Sequence, residues 1–278
     1  MIAALAACAC QTPARPSRVV CPDGLRLVQQ KTESGYEISA ANHCHVPMMV
    51  EVSMVEIENY RPLESLPVRR VVAVSSVEHM VNLERINPRS EARFQSKFGV
   101  AWWGATPPAP DSSYLYAFPF GGSEPRRLAQ GVDGSFTHNG RSRYAFDFEM
   151  PKGTPIVAAR AGIVLLVIDG FGDGGVARSD REEGNGVFVL HDDGTVAGYG
   201  HLSAGIAVRA GDALAEGDPI GSSGNSGYSK GPHLHFQVNT QAPGDGFDSI
   251  PIRFRGNVVP VVGERFGPYP GPSARAGE

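Results

Sequence analysis

Short apolar runs separated by turn residues are the feature that most restricts the fold of this chain. The sequence holds 34 glycines and 22 prolines among 278 residues, and these residue types mark turns. The runs between them alternate apolar with polar positions or are rich in β-branched and aromatic residues, which is typical of strands. No long amphipathic helical pattern is present. The sequence therefore predicts a mostly β protein.

The first part of the chain is expected to form a small antiparallel β-sandwich over residues 19–120, because its strands are short and follow one another closely. Within it, His43 and His45 flank Cys44 and are interpreted as surface histidines beside a structural cysteine. His79 has no evident partner and is expected to be exposed. The strands are predicted at 25–28, 36–40, 48–53, 71–74 and 92–98.

A proline-rich stretch at 111–127 indicates a junction between two domains, and it should act as a semi-stiff spacer. A second β domain is expected over residues 121–262, followed by a flexible tail at 263–278. In that domain, the polar, glycine-rich segment 169–186 is expected to be a loop that forms a cleft wall. Buried strands are predicted at 156–159, 162–167 and 187–190.

Composition excludes several classes of protein. The chain is 41% apolar and 19% charged, as in a globular protein. Its net charge is −4 and no basic block is present, which argues against a nucleic-acid partner. No apolar run approaches the roughly 20 residues that a membrane-spanning helix needs.

The amino-terminal segment has features of an export signal. Leu5-Ala6-Ala7-Cys8 resembles the bacterial lipobox, which implies a lipidated Cys8 and a tether through residue 18. The segment lacks a basic stretch and is shorter than a working signal peptide. The alternatives are a natural start further upstream and an accidental match.

Cys21 and Cys44 lie in the expected sandwich at a separation compatible with a bridge between neighbouring strands. In an exported protein the two are expected to form a disulfide. The alternative is two free, buried thiols.

The strongest indication of function is the segment Gly231-Pro232-His233-Leu234-His235-Phe236. It predicts a turn that leads into a strand, where residues two apart face the same side. His233 and His235 therefore present two imidazoles to one surface, while Leu234 and Phe236 face the packed side. Such a pair suits a metal ligand with a catalytic neighbour.

Three other segments supply matching groups. His138 follows a turn, and Asp147 lies in an alternating strand between two phenylalanines, so its carboxylate faces away from their rings. His201 ends a further strand. The loop 221–231 then leads into His233, and its glycines allow a tight backbone path at a cleft rim.

The order of these motifs resembles the lysostaphin/LytM-type zinc endopeptidases, which cut peptide bonds in bacterial peptidoglycan. The resemblance covers about residues 130–261, roughly half of the chain. In the best-known members the aspartate follows the first histidine by four residues, whereas here the step from His138 to Asp147 is nine. The motifs are His-x-Gly, Tyr-Ala-x-Asp-Phe, Pro-x-Gly-Thr-Pro-x-x-Ala, Tyr-x-His-Leu, Ser-Gly-Asn-x-Gly and Gly-Pro-His-Leu-His-Phe.

The resemblance implies a LytM-like antiparallel β-sheet peptidase domain with a zinc cleft. It implies one Zn²⁺ per chain bound by His138, Asp147 and His235, with His201 and His233 as the catalytic pair. It also implies an exported protein of the cell envelope whose partners are peptidoglycan stems or cross-bridges. The chemistry agrees, since three protein ligands leave a fourth zinc position for water.

Other residues receive weaker interpretations. Asn185 and Asn225 sit beside glycines in loops that could contact substrate, or they could simply cap turns. Tyr199 alternates with His201 and is expected to share its face, with a supporting or substrate-binding role near the metal. His191, at a strand-to-turn junction, is interpreted as structural.

Two alternatives to a peptidoglycan endopeptidase remain open. One is a non-enzymatic cell-wall-binding or hydrolase-activating module on the same fold. The implied ligand set is complete here, which favours the enzyme. The other is a carboxypeptidase that trims D-amino acids, which the motif order disfavours. The sandwich is expected to position substrate or partly cover the groove, or else to serve as a spacer.

Overall fold

The structure, a computed structural model, describes residues 24–104, 107–177, 179–180, 183–242 and 246–270. The described residues fold into β-strands joined by turns, with one short 3₁₀ turn at Gly140–Ser142. The mostly β fold class is therefore confirmed. The strands of the first part are β1 (Leu25–Lys31), β2 (Gly35–Asn42), β3 (Met48–Glu58), β4 (Tyr60–Pro62), β5 (Val68–Val72), β6 (Ser76–Arg85) and β7 (Arg93–Trp103).

These seven strands form two sheets with the orders β1-β2-β6-β4 and β5-β3-β7. All their pairings are antiparallel. Alternate residues of each sheet point into a shared core, in which Ile38 and Met80 from one sheet meet Val50 and Val72 from the other. This is the small antiparallel sandwich that the alternating pattern predicts.

The described residues of the second part of the chain contain thirteen further strands: β8 (Leu115–Tyr116), β9 (Arg126–Gln130), β10 (Phe146–Glu149), β11 (Pro155–Val157), β12 (Gly162–Ile168), β13 (Gly186–Leu190), β14 (Val196–Gly200), β15 (Ala213–Leu214), β16 (Pro219–Ser222), β17 (His233–Ala242), β18 (Gly246–Ser249), β19 (Arg253–Phe254) and β20 (Arg265–Phe266). They form a larger sheet with the order β15-β12-β13-β14-β17-β10-β9-β20, and β18 pairs with β17. Two small sheets, β11-β16 and β8-β19, complete this part.

One face of the large sheet carries an aromatic core. Phe146 and Phe148 of β10 lie directly opposite Phe236 and Leu234 of β17, and all four side chains are buried. Because side chains alternate along a strand, the residues between them must point to the other face. This alternation is what places polar groups on the opposite face of β10 and β17.

The proline-rich stretch predicted to be a junction is part of this core instead. Tyr116 and Phe120 are buried in it, and the ring of Phe118 stacks on Phe254 with centroids 4.6 Å apart. A protein that began at Gly121 would lack these side chains, and removing one buried phenylalanine typically costs about 3–5 kcal/mol. Proline and glycine content predicted the turns here but not the aromatic packing between them.

The segment after residue 262 also differs from the expectation of a flexible tail. β20 pairs with β9, Phe266 is buried in the aromatic core, and the Tyr269 backbone N–H donates to the Phe120 carbonyl at 2.7 Å. Residues 271–278 lie outside the described part of the chain.

The sandwich packs directly on the large sheet. Leu165, Leu190 and Val196 of the sheet belong to the hydrophobic cluster of the sandwich, and the rings of Trp103 and Phe247 lie 4.3 Å apart. The contact is apolar, so burial of these side chains fixes the sandwich against the sheet.

His79 is not an isolated exposed residue, contrary to expectation. Its Nδ1 lies 3.2 Å from Glu37 and its Nε2 lies 2.9 Å from Glu64, while Asn82 contacts both His79 and Glu64. The hydrogen bond to Glu64 raises the pKa of His79 above its usual value of 6.5, although partial burial opposes this. Glu37 and Glu64 come from elsewhere in the sequence, so spacing could not reveal them.

This cluster predicts a pH-dependent stability. The pKa of His79 is raised in the folded protein. The free energy of unfolding that His79 contributes is therefore fully present below pH 6.5 and is lost as the pH rises through the folded-state pKa. Since the pair is partly exposed, we expect a loss of at most about 1 kcal/mol in the free energy of unfolding. Urea unfolding between pH 6 and 9 measures this. His79→Gln should remove that part of the pH dependence, and parallel curves for the two proteins would contradict the interpretation.

Cys44 is buried and disulfide-bonded, while His43 and His45 beside it are exposed. Its predicted partner Cys21, the lipobox segment and Cys8 lie outside the described residues. Among the residues described, no helix is long and apolar enough to span a membrane.

Candidate metal centre and active site

The polar face of β10 and β17 forms the centre of the site. Asp147 pairs directly with His235, and Glu149 pairs with His233. The adjacent strand β14 places Gly200 opposite His235, where a side-chain Cβ would lie 3.3 Å from Cβ and 3.6 Å from Cδ2 of the histidine. His233 and His235 therefore lie on one face of β17, as the alternation predicts.

His138 reaches the same point from the loop that follows β9. Its Nδ1 lies 2.9 Å from the Gly131 carbonyl, so Nδ1–H donates there and Nε2 carries the lone pair. Nε2 lies 3.0 Å from Oδ1 of Asp147, but without the geometry of a hydrogen bond. The nine-residue step from His138 to Asp147 is accommodated by the 3₁₀ turn Gly140–Ser142.

His138, Asp147 and His235 could hold a metal ion. One ligand atom from each lies within 4.8 Å of the others, and Nδ1 of His235 is 2.8 Å from Oδ1 of Asp147. The buried Nε2 of His138 has no hydrogen-bond partner among the described residues. Two imidazoles and a carboxylate that converge in this way fit a zinc site with one open position.

Asp147 is held as a carboxylate. Its Oδ2 accepts a hydrogen bond from Nε2 of Gln130 at 2.9 Å, which leaves Oδ1 directed at the two imidazoles. Burial by itself would raise the pKa of Asp147, but the hydrogen bond and charge of His235, with a smaller contribution from His233, outweigh it and keep the pKa below its usual range. A charged carboxylate is the form that binds a metal ion.

His201 and His233 lie side by side next to the candidate metal ligands, with ring centroids 4.4 Å apart. Nδ1 of His201 is 2.6 Å from the Ser226 carbonyl, and Nδ1 of His233 is 2.7 Å from the Gly231 carbonyl. In both residues Nδ1–H donates, so Nε2 is left with a lone pair. The structure thus provides two imidazoles that can accept a proton.

The environment favours the neutral form of both rings. Burial, with a smaller contribution from His233 and His235, lowers the pKa of His201 to about 3. Burial also lowers the pKa of His233. His201 has a positive φ of 60°, an uncommon conformation for a residue other than glycine that often marks functional sites.

Two cavities meet at this centre. One of about 880 Å³ is lined by Asp147, His201 and His233, and one of about 380 Å³ is lined by His201 and His235. Neither is lined by a described residue of the sandwich. The cavities form a cleft that runs past the candidate metal ligands.

An aromatic pair borders the cleft: Tyr228 lines both cavities and Phe136 lines the larger one. The Phe136 and Tyr228 rings stack with centroids 5.4 Å apart, and Nζ of Lys230 lies 3.6 Å from the Phe136 ring centroid. The segment that follows β12 is held against the same rim of the cleft, where the Gly174 N–H donates to the Asn225 carbonyl at 2.8 Å and Gly175 bridges to Tyr228. Part of that segment lines the smaller cavity, through Gly184 and Asn185.

The two asparagines with predicted substrate contacts make internal hydrogen bonds. The Asn185 side chain is buried, accepts from the Phe171 N–H at 2.9 Å and donates to the Leu202 carbonyl at 3.1 Å. Oδ1 of Asn225 accepts from the Ser229 hydroxyl at 2.8 Å. These contacts fit the alternative interpretation, in which the two residues stabilise loops.

The expectation that Tyr199 shares the face of His201 is wrong. Tyr199 is fully buried beside Phe236 in the aromatic core, and its hydroxyl accepts from the Ala159 N–H at 2.9 Å. β14 ends at Gly200, and the positive φ of His201 turns the next side chain out of the strand alternation. The buried His191 bonds the Ala161 carbonyl at 2.8 Å, in keeping with a structural role.

The sequence did not predict two glutamines that contact the candidate metal ligands. Gln237 contacts Nε2 of His235 at 3.0 Å, and its position two residues after His235 on one strand was a usable signal. Gln130 contacts Asp147 across the β9–β10 pairing. That pairing contains a register shift between Asp147 and Phe148, so no local pattern could reveal it.

Part of the chain is similar to proteins that are already known. Residues 141–245 match the family model described as Peptidase family M23, a range that includes Asp147, His201, His233 and His235 but starts three residues after His138. Over 115 residues the chain is 35% identical to the peptidoglycan DD-endopeptidase ShyA of Vibrio cholerae. The match covers 41% of this chain and 23% of that protein.

Over 117 residues the chain is 37% identical to lysostaphin of Staphylococcus simulans. The match covers 41% of this chain and 22% of that protein. The chain thus spans less than a quarter of the length of either curated relative. The solved catalytic domain of lysostaphin from Staphylococcus simulans matches 49% of this chain and 88% of its own at 27% identity, with a TM-score of 0.29. The resemblance to lysostaphin/LytM-type peptidases is therefore confirmed, and it is carried by residues 141–245, which match the Peptidase family M23 model.

Proposed function

We propose that this protein is a zinc-dependent endopeptidase that hydrolyses peptide bonds in bacterial cell-wall peptidoglycan. The observation that carries the proposal is the convergence of His138, Asp147 and His235 on one point beside the His201–His233 pair. Two relatives from Vibrio cholerae that are named peptidoglycan DD-endopeptidases, ShyA and ShyC, support the substrate class. The site opens into a cleft, which suits an extended peptide.

The three proposed ligands are fixed before any metal binds. The Gly131 carbonyl orients His138, Gln130 orients Asp147, and Gln237 orients His235. Bound zinc would supply Lewis-acid chemistry by polarising a carbonyl and lowering the pKa of a water molecule. The protein contributes a preformed and largely buried ligand set.

We assign His201 and His233 to proton transfer and to stabilisation of the developing oxyanion. Each has its Nδ1–H anchored on a backbone carbonyl, so Nε2 can accept a proton from the attacking water. Once protonated, the same Nε2 can donate a hydrogen bond to the negative oxygen or pass the proton to the leaving amine. Because their pKa values are lowered, both rings start in the neutral form at pH 7.

A non-enzymatic module is the weaker interpretation. Such a role needs neither a complete ligand set nor two neutral, anchored imidazoles beside it. Here all five residues are present, and hydrogen bonds orient them. We also propose that the protein acts outside the cytoplasmic membrane, where peptidoglycan lies.

Digestion of purified peptidoglycan tests the proposal, with the products identified by mass spectrometry. We expect cross-linked fragments to be cut into smaller ones, activity to stop with a chelator, and activity to return with zinc. Release of single D-amino acids alone would indicate a carboxypeptidase. Absence of products from a folded, zinc-loaded protein would indicate a binding or activating module.

A further inference from the structure

The four histidines of the site are not oriented in the same way. In His138, His201 and His233 the Nδ1 atom faces a backbone carbonyl, at 2.9, 2.6 and 2.7 Å. His235 is reversed, because its Nδ1 faces Asp147 and its Nε2 faces a side chain, Oε1 of Gln237 at 3.0 Å. A side-chain oxygen therefore accepts the imidazole N–H of His235, whereas backbone carbonyls accept the imidazole N–H of the other three histidines.

Gln237 is itself held by a second amide. Its Nε2 donates to Oδ1 of Asn239 at 2.6 Å, and Nδ2 of Asn239 donates to the Val196 carbonyl at 3.0 Å. His235, Gln237 and Asn239 are alternate residues of β17 and lie on one face. Asn239 is 1% exposed, so solvent cannot readily replace these bonds.

The chain of bonds has only one consistent direction. A backbone carbonyl can only accept, so Asn239 must direct its amino group at Val196 and its oxygen at Gln237. Gln237 must then direct its amino group at Asn239 and its oxygen at His235. Nε2 of His235 must therefore carry the proton, which leaves the lone pair of the neutral ring on Nδ1, the atom facing Asp147.

The Val196 carbonyl, which begins this series of hydrogen bonds, lies where the large sheet meets the sandwich. The Val196 side chain is 1% exposed and belongs to the hydrophobic cluster of the sandwich. The Val196 carbonyl is therefore held in a well-packed position, and that rigidity extends through Asn239 and Gln237 to the imidazole.

We propose that Gln237, held by Asn239, is a positioning residue that fixes the tautomer of His235 and so directs its Nδ1 lone pair at the metal. The inference rests on the proposed metal site, not on the identity of the substrate. Loss of a partner that orients a metal-bound histidine typically weakens metal affinity about 10–100-fold. Gln237→Leu should show a loss in that range.

The measurement is zinc affinity by competition with a chromophoric chelator, on the full chain. Gln237→Glu keeps an acceptor for Nε2–H and should bind zinc more tightly than Gln237→Leu. Gln241→Leu is the matched control, because Gln241 lies on the same face of β17 and outside the amide chain; it should leave the affinity unchanged. Circular dichroism of the metal-free proteins checks that each variant folds.

A double variant tests whether Asn239 acts through Gln237. Asn239→Ala alone should weaken zinc binding, whereas adding it to Gln237→Leu should weaken binding no further. Additive losses would show that Asn239 acts by another route and would overturn its place in the proposal.

A second measurement needs no variant. In the zinc-loaded protein, ¹⁵N–¹H correlation spectra of the imidazoles should show His235 with a proton on Nε2 and the metal on Nδ1. Metal on Nε2, or equal zinc affinity in Gln237→Leu and Gln241→Leu, would overturn the inference. A protein that binds no zinc at all would instead reject the proposed function.

Discussion

Replacing Asp147 with alanine is expected to release the metal and abolish peptidoglycan cleavage. Asp147 supplies the only carboxylate of the candidate ligand set, and its negative charge offsets the cost of bringing a dication into a buried site. Because it is a direct ligand, its loss should weaken zinc binding by more than the roughly 100-fold that marks the upper range for an outer-shell partner. Elemental analysis after dialysis measures the bound metal.

Glu149→Gln is the matched control for Asp147→Ala. Glu149 lies two residues further along β10 on the same face, but it pairs with Arg127 at 2.8 Å and is not in the ligand group. This variant should keep a full complement of zinc. Equal zinc contents in Asp147→Ala, Glu149→Gln and the unaltered protein would contradict the assignment of Asp147 as a ligand.

Replacing His201 with alanine is expected to remove activity while the metal stays bound. His201 lies beside the ligands, with its ring centroid 5.9 Å from that of His235, but it does not belong to the ligand group. Loss of a proton-transfer residue typically lowers the rate about 10²–10⁴-fold. Two quantities are measured for the variant and the unaltered protein: kcat on a soluble stem-peptide substrate, and the zinc content.

His233→Ala should behave like His201→Ala, with activity lost and much of the metal kept. Nε2 of His233 is 3.7 Å from Oδ1 of Asp147, further than the corresponding atoms of His138 and His235. If either variant lost as much zinc as Asp147→Ala, the division between ligands and proton-transfer residues would be wrong.

Much of the site follows from local alternation. Asp147 lies between Phe146 and Phe148, which are buried together. Because side chains alternate along a strand, this position alone predicts that the Asp147 carboxylate points away from the aromatic core. The same rule placed His233 and His235 on one face. These predictions depend only on strand geometry over a few residues, which the sequence carries directly.

Alternation fails where a strand ends or where partners come from distant segments. Tyr199 was misplaced because the backbone of His201 leaves the strand with a positive φ. The Gln130–Asp147 contact depends on a register shift between β9 and β10, and the His79 cluster depends on pairing across the sandwich. Such contacts are set by tertiary packing, which no local pattern encodes.

The junction at 111–127 shows a different limit. Its prolines and glycines correctly indicate turns, yet the aromatic residues between them fill the core of the large sheet. Composition averages over a stretch, whereas burial is decided residue by residue. Any truncation that removes the sandwich should therefore begin before Tyr114, whose ring contacts Tyr116 at 5.0 Å.

Anomalous diffraction at the zinc absorption edge tests the central claim most directly, with crystals of the protein grown in the presence of zinc. We expect one strong peak within about 2.0–2.2 Å of Nε2 of His138, a carboxylate oxygen of Asp147 and Nδ1 of His235. His201 and His233 should lie beside the peak without binding it. A protein that cleaves peptidoglycan but shows its zinc peak elsewhere, or none, would contradict the account.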